Sequence, residues 1–231
     1  MMLHMATGEI LVVEDTPEYT QVVVAALSNA GYTVRSVTTM ADALSALDVV
    51  ATDMVVLDLG LPDGDGFDLC RSIRERTNAY ILILTVRADE IDLLLGFRLG
   101  ADDYMTKPFS TRELVARTEA MMRRPRGDSS GSIVRRLGDL TIDLRSRECH
   151  LSGESIELTR IEFDLLATLS NDVRAVFTRR QLLDRVWGED WYGDDHVVDV
   201  HIANLRKKID RDGQRSSIRT VRGVGYGFTP N

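Results

Sequence analysis

The chain has 231 residues, 44% of them hydrophobic and 28% charged, so it can bury one or two apolar cores. No apolar run reaches the roughly 18 residues of a membrane helix, and the first residues, MMLHMATGE, lack the basic region and apolar stretch of a signal peptide. We therefore expect a soluble, cytoplasmic protein without a membrane segment. Neither Cys70 nor Cys149 belongs to a set of cysteine and histidine residues with the spacing that metal sites use, which indicates ordinary reduced thiols.

The net charge of -8 is distributed unequally along the chain. Residues 1–124 hold 11 Lys and Arg against 19 Asp and Glu, whereas residues 125–231 hold 17 of each. The last 36 residues, from His196 onward, hold 7 basic and 3 acidic residues. Because nucleic acids attract basic surfaces, this composition places any DNA-binding surface in the C-terminal part of the chain.

Five apolar, strand-like runs alternate with helical stretches in the first half. The runs are EILVVED, TVRSVT, DMVVLD, YILILT and DYMTK, and the helices begin near Pro17, Met40, Gly66, Asp89 and Thr111. Consecutive apolar residues, as in MVVL and ILIL, are typical of central parallel strands covered by helices on both faces. The pattern predicts an α/β fold, a doubly wound (βα)5 sheet over residues 8–124, with a ligand crevice at the carboxyl ends of the strands.

A second domain is predicted after a polar segment. Residues 125–133 combine Pro, Gly, Ser and charge without apolar periodicity, which indicates a flexible linker. Short antiparallel strands follow, then helices at about 160–170, 179–187 and 196–210, and finally the Gly-rich hairpin IRTVRGVGYGF. We therefore expect an α+β domain over residues 134–231.

Polar side chains close four strands of the predicted sheet. Glu14 and Asp15 end the first strand and Asp58 the third, so three carboxylates meet at one edge, and a hard cation such as Mg2+ relieves their repulsion. Thr85 and Lys107 end the fourth and fifth strands. Each residue alone is also explained as a helix cap or a polar strand end. Together they supply the carboxylate nucleophile, cation site, lysine and hydroxyl needed to accept a phosphoryl group.

These residues carry a family resemblance. The pair Glu14-Asp15, the segment DLGLPDGDG around Asp58, Thr85, and GADDYMTKPF around Lys107 resemble the receiver domain of two-component response regulators over residues 8–124. The resemblance implies that a sensor histidine kinase phosphorylates Asp58, and that Thr85 and Lys107 hold the phosphoryl oxygens.

The resemblance also implies a metal site and a switch. The implied Mg2+ ligands are Asp15, Asp58 and the Gly60 carbonyl, with Glu14 acting through water. Tyr104 is the aromatic residue that turns inward in this family, and the peptide before Pro108 is cis.

Receivers of the OmpR/PhoB type, which this chain resembles, pair through their fourth helix, fifth strand and fifth helix after phosphorylation. The implied charged residues of such a homodimer are Asp102, Asp103, Glu113, Arg117 and Arg124. Leu93 departs from the family, which has Lys or Arg there, so we expect an apolar contact to replace one ion pair. Exposed pairs are worth only about 0 to 1 kcal/mol, so dimerisation should survive. Simple surface charge is the alternative explanation.

In the helix HVVDVHIANLRKKID, an apolar stripe leaves an opposite face for other contacts. Val198, Ile202, Leu205 and Ile209 recur at helical spacing and form the stripe. Val200, Ala203, Asn204 and Lys207 lie opposite, with Arg206 and Lys208 on the flanks. Basic residues near a helix end also suit the helix dipole alone, so this face by itself leaves DNA binding open.

The following hairpin decides between these two interpretations. From Leu137 onward, LTRIEFDLLATL, LLDRVWG, VVDVHIANLRKKI and IRTVRGVGYGF resemble the winged-helix domain of OmpR/PhoB regulators. The resemblance implies that the helix enters the major groove of promoter DNA, that Arg222 reaches the minor groove and that Thr220 touches the backbone. The implied DNA-contacting residues are His196, Val197, Val200, His201, Ala203, Asn204, Arg206, Lys207, Lys208, Thr220 and Arg222.

Some relatives carry Arg at the positions of His196, Ala203 or Asn204, so a different operator is expected here. Asn binds adenine and Val or Ala packs on thymine methyls, which favours A/T-leaning half-sites. The loop EDWYGDD lies where relatives contact RNA polymerase or the partner domain.

The sequence thus predicts a phosphorylation-dependent DNA-binding transcription regulator and not an enzyme. A phosphatase with Asp58 as nucleophile is a second possibility, but it requires an aspartate where Gly60 stands. A receiver that binds only proteins is a third possibility. The basic helix from His196 and the hairpin IRTVRGVGYGF, which corresponds to the wing of the winged-helix domain, disfavour it.

Overall fold

The computed structural model describes residues 8–122, 134–188, 191, 195–211 and 215–230. The chain divides into two compact units, Met1–Arg123 and Arg124–Asn231, and each is considered by itself. The predicted linker, residues 125–133, lies outside the described residues.

The first unit is a five-stranded parallel sheet with helices between its strands, as predicted. The strand order is β2-β1-β3-β6-β7, and a short antiparallel pair, β4 and β5, follows the third strand of the chain. The elements are β1 (Glu9–Val13), α1 (Pro17–Asn29), β2 (Thr33–Val37), α2 (Met40–Val49), β3 (Met54–Leu57), β4 (Gly60–Leu61), β5 (Gly64–Asp65), α3 (Gly66–Arg76), β6 (Tyr80–Thr85), α4 (Glu90–Arg98), β7 (Asp103–Thr106) and α5 (Thr111–Met122).

The core of this unit lies on both faces of the sheet. Every residue of the central strands β3 and β6 is buried, which explains their consecutive apolar residues. Helix α1 packs against α5, whereas α3 packs against α2 and α4. A strand that is covered on both faces cannot alternate polar and apolar residues, so its pattern in the sequence predicts its central place.

The register of the sheet aligns the strand ends that carry polar side chains. Val13 pairs with Leu57, and Leu57 pairs with Ile83, so β1, β3 and β6 end side by side. Thr85 of β6 pairs with Thr106, the last residue of β7. All five strands are parallel, and the residues that follow them therefore meet at one edge of the sheet.

The loop after β3 is fastened to the start of α2. The Asp63 carboxylate accepts hydrogen bonds from the backbone nitrogens of Met40, at 2.9 Å, and Ala41, at 3.2 Å. The hydrogen bond from Met40 lowers the pKa of Asp63 below its ordinary value. Gly64 leaves room for this approach, because a Cβ there would lie 2.5 Å from the Met40 sulfur. The segment that follows Asp58 is thereby held against the helix.

The second unit combines two small antiparallel sheets with three helices. One sheet has the order β11-β10-β9-β8 and the other β12-β14-β13. The elements are β8 (Val134–Leu137), β9 (Leu140–Asp143), β10 (Glu148–Leu151), β11 (Glu154–Ile156), α6 (Arg160–Leu169), β12 (Phe177–Thr178), α7 (Arg179–Val186), α8 (His196–Ile209), β13 (Ile218–Val221) and β14 (Gly225–Phe228). Helix α8 followed by the β13–β14 hairpin is the predicted winged helix.

Local sequence fixes where two of these helices begin. Thr159 and Thr178 cap α6 and α7, and each forms a reciprocal pair of hydrogen bonds with the residue three positions later, Glu162 or Gln181. Such capping boxes satisfy backbone N–H groups that a helix start leaves unpaired. Among the described residues, no helix is both long enough and apolar enough to cross a membrane.

The Asp63 anchor predicts a pH-dependent contribution to stability. Since folding lowers the pKa of Asp63, its contribution is present above the ordinary aspartate value of about 3.9 and is lost as the pH falls through the lower, folded value. We expect Asp63→Asn to lower the Tm of the full chain at pH 7, and the difference from wild type to shrink towards pH 2. Thermal unfolding followed by circular dichroism measures both.

Asp48→Asn is the matched control, because the Asp48 carboxylate forms an exposed ion pair with Arg76. Its Tm should stay close to wild type at every pH. A difference for Asp63→Asn that does not change with pH would contradict the electrostatic explanation.

Candidate functional site

Three carboxylates converge at the edge of the parallel sheet. Single oxygen atoms of Glu14, Asp15 and Asp58 all lie within 4.8 Å of one another. Glu14 and Asp58 are only 2% and 7% exposed, and Asp15 is half-buried. Burial raises the pKa of Glu14 above its ordinary value, and it outweighs the opposite effect of the Lys107 ammonium. So much buried negative charge requires a compensating cation.

Lys107 supplies part of that compensation. Its Nζ donates to Glu14 Oε2 at 2.6 Å and to Asp58 Oδ2 at 2.7 Å, and it lies 4.2 Å from the centre of the Tyr19 ring. The Gly60 backbone nitrogen donates to the other Asp58 oxygen at 3.2 Å. One ammonium against three carboxylates leaves a negative site of oxygen ligands, and this donor set suits Mg2+.

Thr85 and Tyr104, the expected phosphoryl-binding hydroxyl and the expected switch aromatic, both contact the backbone of Arg87. Thr85 is fully buried, and its Oγ1 accepts a hydrogen bond of 3.4 Å from the Arg87 nitrogen. Tyr104 is turned inward: its hydroxyl donates to the Arg87 carbonyl at 3.0 Å, and its ring meets Phe97 edge-on. Burial raises the pKa of Tyr104 to about 12. The Lys107–Pro108 peptide is cis, as predicted.

In the second unit, the outward face of α8 carries both apolar and polar side chains, and the β13–β14 hairpin, the wing, follows this helix in the chain. Ala203 and Lys207 are exposed, whereas Val200 and Asn204 are half-buried. Arg222 is exposed in the turn between β13 and β14. The hairpin is held close to β12, since a Cβ on Gly225 would lie 2.0 Å from the Phe177 carbonyl oxygen.

A polar cluster connects α7, α8 and the wing. Asp199 of α8 pairs with Arg179, at 2.8 Å from Nε, and accepts a hydrogen bond of 2.7 Å from the Tyr226 hydroxyl. Arg206, also on α8, donates to the Ile218 carbonyl and the Thr220 hydroxyl of β13. The roles of Arg179, Asp199 and Tyr226 were not predicted from the sequence. Asp199 lies 20 positions from Arg179 and 27 positions from Tyr226, and contacts over such distances give no local pattern.

Comparisons with known proteins match each of the two units to a family. Residues 10–119 match the response regulator receiver domain family, and residues 153–228 match the family described as transcriptional regulatory protein, C terminal. The chain is 39% identical to the DNA-binding response regulator MtrA of Mycolicibacterium smegmatis over 222 residues, covering 96% of each protein. It is 42% identical to the transcriptional regulatory protein TrcR of Mycobacterium tuberculosis, over 99% of this chain and 90% of that protein.

The chain belongs to the DNA-binding response regulators of two-component systems.

Solved structures support the same assignment. A cysteine-to-serine mutant of RitR matches this response regulator with a TM-score of 0.82 at 32% identity, covering 97% of this chain and 100% of that one. DrrB of Thermotoga maritima, described as an OmpR/PhoB homologue, matches at 35% identity with a TM-score of 0.52, covering 96% and 99%. The predicted family, fold and DNA-binding function are therefore confirmed.

The structure corrects two of the DNA-contacting residues expected for this regulator. Val197 is 0% and His201 2% exposed, so neither side chain reaches an outward face. His201 instead lies against the Trp187 ring, 5.7 Å between centroids. Helical periodicity predicts one inward stripe, but α8 packs against both α6 and α7, and packing on two sides buries a wider face of the helix than one stripe.

Two expected cations of α8 are engaged within the protein. Lys208 donates to Glu162 Oε2 at 2.7 Å, and Arg206 donates to β13. Lys207 is exposed, and its ammonium forms no ion pair within the residues that the structure describes. His196 and Thr220 are exposed as well, at the start of α8 and on the wing.

The surface expected to pair two receivers is also partly corrected. Asp102 is fully buried, because its carboxylate accepts from the Ile81 nitrogen and pairs with Arg74 at 2.7 Å, so it cannot meet a second copy. Asp103 and Arg117 are buried as well: Arg117 Nη1 donates to both Asp103 oxygens, and Arg117 Nη2 donates to Glu113 at 2.7 Å, so both charges are met within the protomer. The remaining residues expected at this surface are Leu93, which is half-buried, and Arg124, which lies outside the described residues.

Both cysteines are free thiols in buried positions. Burial raises the pKa of Cys70 to about 12 and that of Cys149 to about 11, so both thiols stay protonated at neutral pH. A thiol that is protonated and buried is a poor nucleophile and a poor metal ligand.

The Lys107 contacts predict competition between the lysine and a metal ion. We expect Lys107→Met to bind Mg2+ on the order of fivefold more tightly, since two unit charges 4 Å apart interact by about 1 kcal/mol even in water. Titration calorimetry of the full chain with MgCl2 measures the change. Arg76→Met, which removes an exposed cation far from the pocket, is the control. Unchanged or weaker Mg2+ binding by Lys107→Met would show that the ammonium does not compete with the ion.

Proposed function

We propose that Asp58 accepts a phosphoryl group from a sensor histidine kinase, and that the phosphorylated protein pairs with a second copy and binds promoter DNA. The contact between Lys107 and both Asp58 and Glu14 is the observation that carries this proposal. It holds the nucleophilic carboxylate beside a cation and beside two further metal-ligand candidates, Glu14 and Asp15.

In the proposed transfer, an Asp58 oxygen attacks phosphorus, the P–N bond to the kinase histidine breaks, and its electron pair returns to the imidazole, which takes up a proton. Lys107 stands where it can neutralise charge on the phosphoryl oxygens, and the Thr85 hydroxyl is available to donate to one of them. Mg2+, held by Asp15, Asp58 and the Gly60 carbonyl and by Glu14 through water, would supply further neutralisation of those oxygens. Transfer of this kind depends on positioning and charge, and the protein provides both with few side chains.

The proposed response runs through the buried pair Thr85 and Tyr104. Both contact the backbone of Arg87, so a displacement of Thr85 towards a phosphoryl group would act on the same loop that holds the Tyr104 hydroxyl. That loop precedes α4, the helix expected at the pairing surface.

For DNA, we propose that the outward face of α8 enters the major groove. Val200 and Ala203 would lie against thymine methyls, Asn204 would bond adenine, and Lys207 would meet phosphate. Thr220 and Arg222 would approach the backbone and the adjacent minor groove from the wing. These side chains favour A/T-leaning half-sites, and a selection that returned only G/C positions under α8 would contradict that part of the proposal.

RNA polymerase is the further partner proposed for a promoter-bound regulator. The loop expected to meet it, EDWYGDD, lies mostly outside the described residues. We place the protein in the cytoplasm, where promoter DNA and the kinase domains of sensors are found in bacteria. Its relatives are transcriptional regulators, which supports a role other than enzymatic turnover of a substrate.

Phosphorylation dependence is tested by selecting bound DNA in vitro. With a small phosphodonor and MgCl2, we expect wild type to recover tandem half-sites about 10 base pairs apart, and Asp58→Ala to recover them at much lower yield. Asp48→Ala, which removes an exposed carboxylate, should behave as wild type. Equal recovery by Asp58→Ala and wild type would overturn the role of Asp58.

Pairing of receivers is tested at Leu93. Because Arg117 already binds Asp103 and Glu113 within one protomer, we propose that an apolar contact of α4 contributes to pairing. Leu93→Asp should weaken self-association of the protein treated with beryllofluoride, as measured by analytical ultracentrifugation, since a buried unpaired charge is costly. Val49→Asp, an exposed apolar residue at the end of α2, is the control. Unchanged association of Leu93→Asp would exclude this contact.

A further inference from the structure

Arg206 of α8 directs its side chain to the hairpin formed by β13 and β14, whereas the neighbouring Lys207 is exposed. Its Nε and Nη2 donate to the Ile218 carbonyl at 3.0 Å and 2.5 Å, and Nη2 also donates to Thr220 Oγ1 at 2.8 Å. The guanidinium carbon lies 5.6 Å from the centre of the Tyr226 ring. The side chain therefore reaches both strands of the wing from α8.

The strand that receives these bonds is the last in its sheet. Among the described residues, the sheet order is β12-β14-β13, and strand β13 pairs with β14 on one side. An edge strand needs other groups to satisfy its outer backbone atoms. Arg206 supplies charged donors to one carbonyl and one hydroxyl of β13, and such charge-assisted bonds are stronger than neutral ones.

The other wing strand is tied to α8 by separate residues. Tyr226 of β14 donates its hydroxyl to Asp199, and Asp199 in turn holds Arg179 of α7. The Arg179 guanidinium lies 5.4 Å from the centre of the same tyrosine ring. The base of the wing is thus fixed to α8 through both of its strands, by Arg206 on β13 and by Asp199 on β14.

We propose that Arg206 is a positioning residue for DNA binding and not a phosphate contact. By holding Thr220 and its strand, it sets where Arg222, two residues further along, stands relative to α8. A helix and a wing must reach neighbouring grooves together, so their relative position decides whether both bind at once. This inference rests on the wing contact proposed above. It assigns different roles to two adjacent cations of α8: Lys207 contacts phosphate, whereas Arg206 holds the wing in position.

A double-mutant cycle separates the two roles. We expect Arg206→Gln to weaken operator binding about tenfold, and to cost little more once Arg222→Ala is present, because both changes remove the same wing contribution. Lys207→Ala should instead add its full cost to that of Arg222→Ala. The variants are made in the full chain, and affinities are measured by fluorescence anisotropy on the DNA selected with wild type.

The salt dependence of DNA binding gives a second readout. The slope of log K against log salt reports lost phosphate contacts, and a residue with a purely structural role does not change it. In the Arg222→Ala background, Lys207→Ala should reduce the slope of log K against log salt by about 0.9, the value for one lost phosphate contact. Arg206→Gln should leave that slope unchanged. Additive costs of Arg206→Gln and Arg222→Ala, together with a slope reduced as in Lys207→Ala, would overturn the proposal.

Hydrogen exchange tests, in the absence of DNA, whether Arg206 holds the wing. Amides of β13 and the wing turn should exchange faster in Arg206→Gln, and in Thr220→Val, which keeps the side-chain shape but removes the hydroxyl acceptor. Protection in the buried part of α8 should be unchanged, which shows that the variants fold. If the wing amides of both variants exchange as in wild type, Arg206 does not hold the wing. If wild type selects no DNA, the proposed function is wrong. The hydrogen-exchange measurement still shows whether Arg206 holds the wing.

Discussion

The buried contact of Lys107 with Asp58 and Glu14 is the interaction around which the first domain is arranged. Carboxylates lose most of their hydration when they are buried, and they stay charged only beside a cation. The parallel sheet brings the three partners together from β1, β3 and β7, which are far apart in the sequence. Burial raises the pKa of Glu14 although the Lys107 ammonium lowers it, so the three carboxylates of the pocket favour a further cation, which under the proposed function is Mg2+.

The second domain uses the same physical rule for a different purpose. Its polar cluster pairs Asp199 with Arg179 and Tyr226, and Arg206 with the outer edge of β13. These partly buried pairs connect α8 to the hairpin formed by β13 and β14. A basic residue in this region is therefore not automatically a DNA contact, since its charge can instead hold the surface that binds DNA.

In the receiver, too, several charged residues expected at a surface form ion pairs within the domain. Asp102 and Arg74 form a buried pair, and Arg74 also donates to the carbonyls of Gly100 and Ala79. Asp103, Glu113 and Arg117 satisfy one another within the protomer. These charges are already paired within one protomer, which supports the apolar contact of α4 proposed for the pairing of receivers.

The sequence by itself determined the fold, the family and the pocket. Consecutive apolar residues in β3 and β6 mark central strands, and parallel strands necessarily bring their carboxyl ends to one edge, so the positions of Asp58, Thr85 and Lys107 along the chain suffice to group them. Only the tertiary structure decided which polar side chains face outward. Val197, His201 and Asp102 were expected at surfaces but are buried, and Arg206 turns to the wing. The reason is that helical periodicity gives directions around one axis, whereas burial depends on which neighbouring elements pack against each direction, and those contacts join residues distant in the chain.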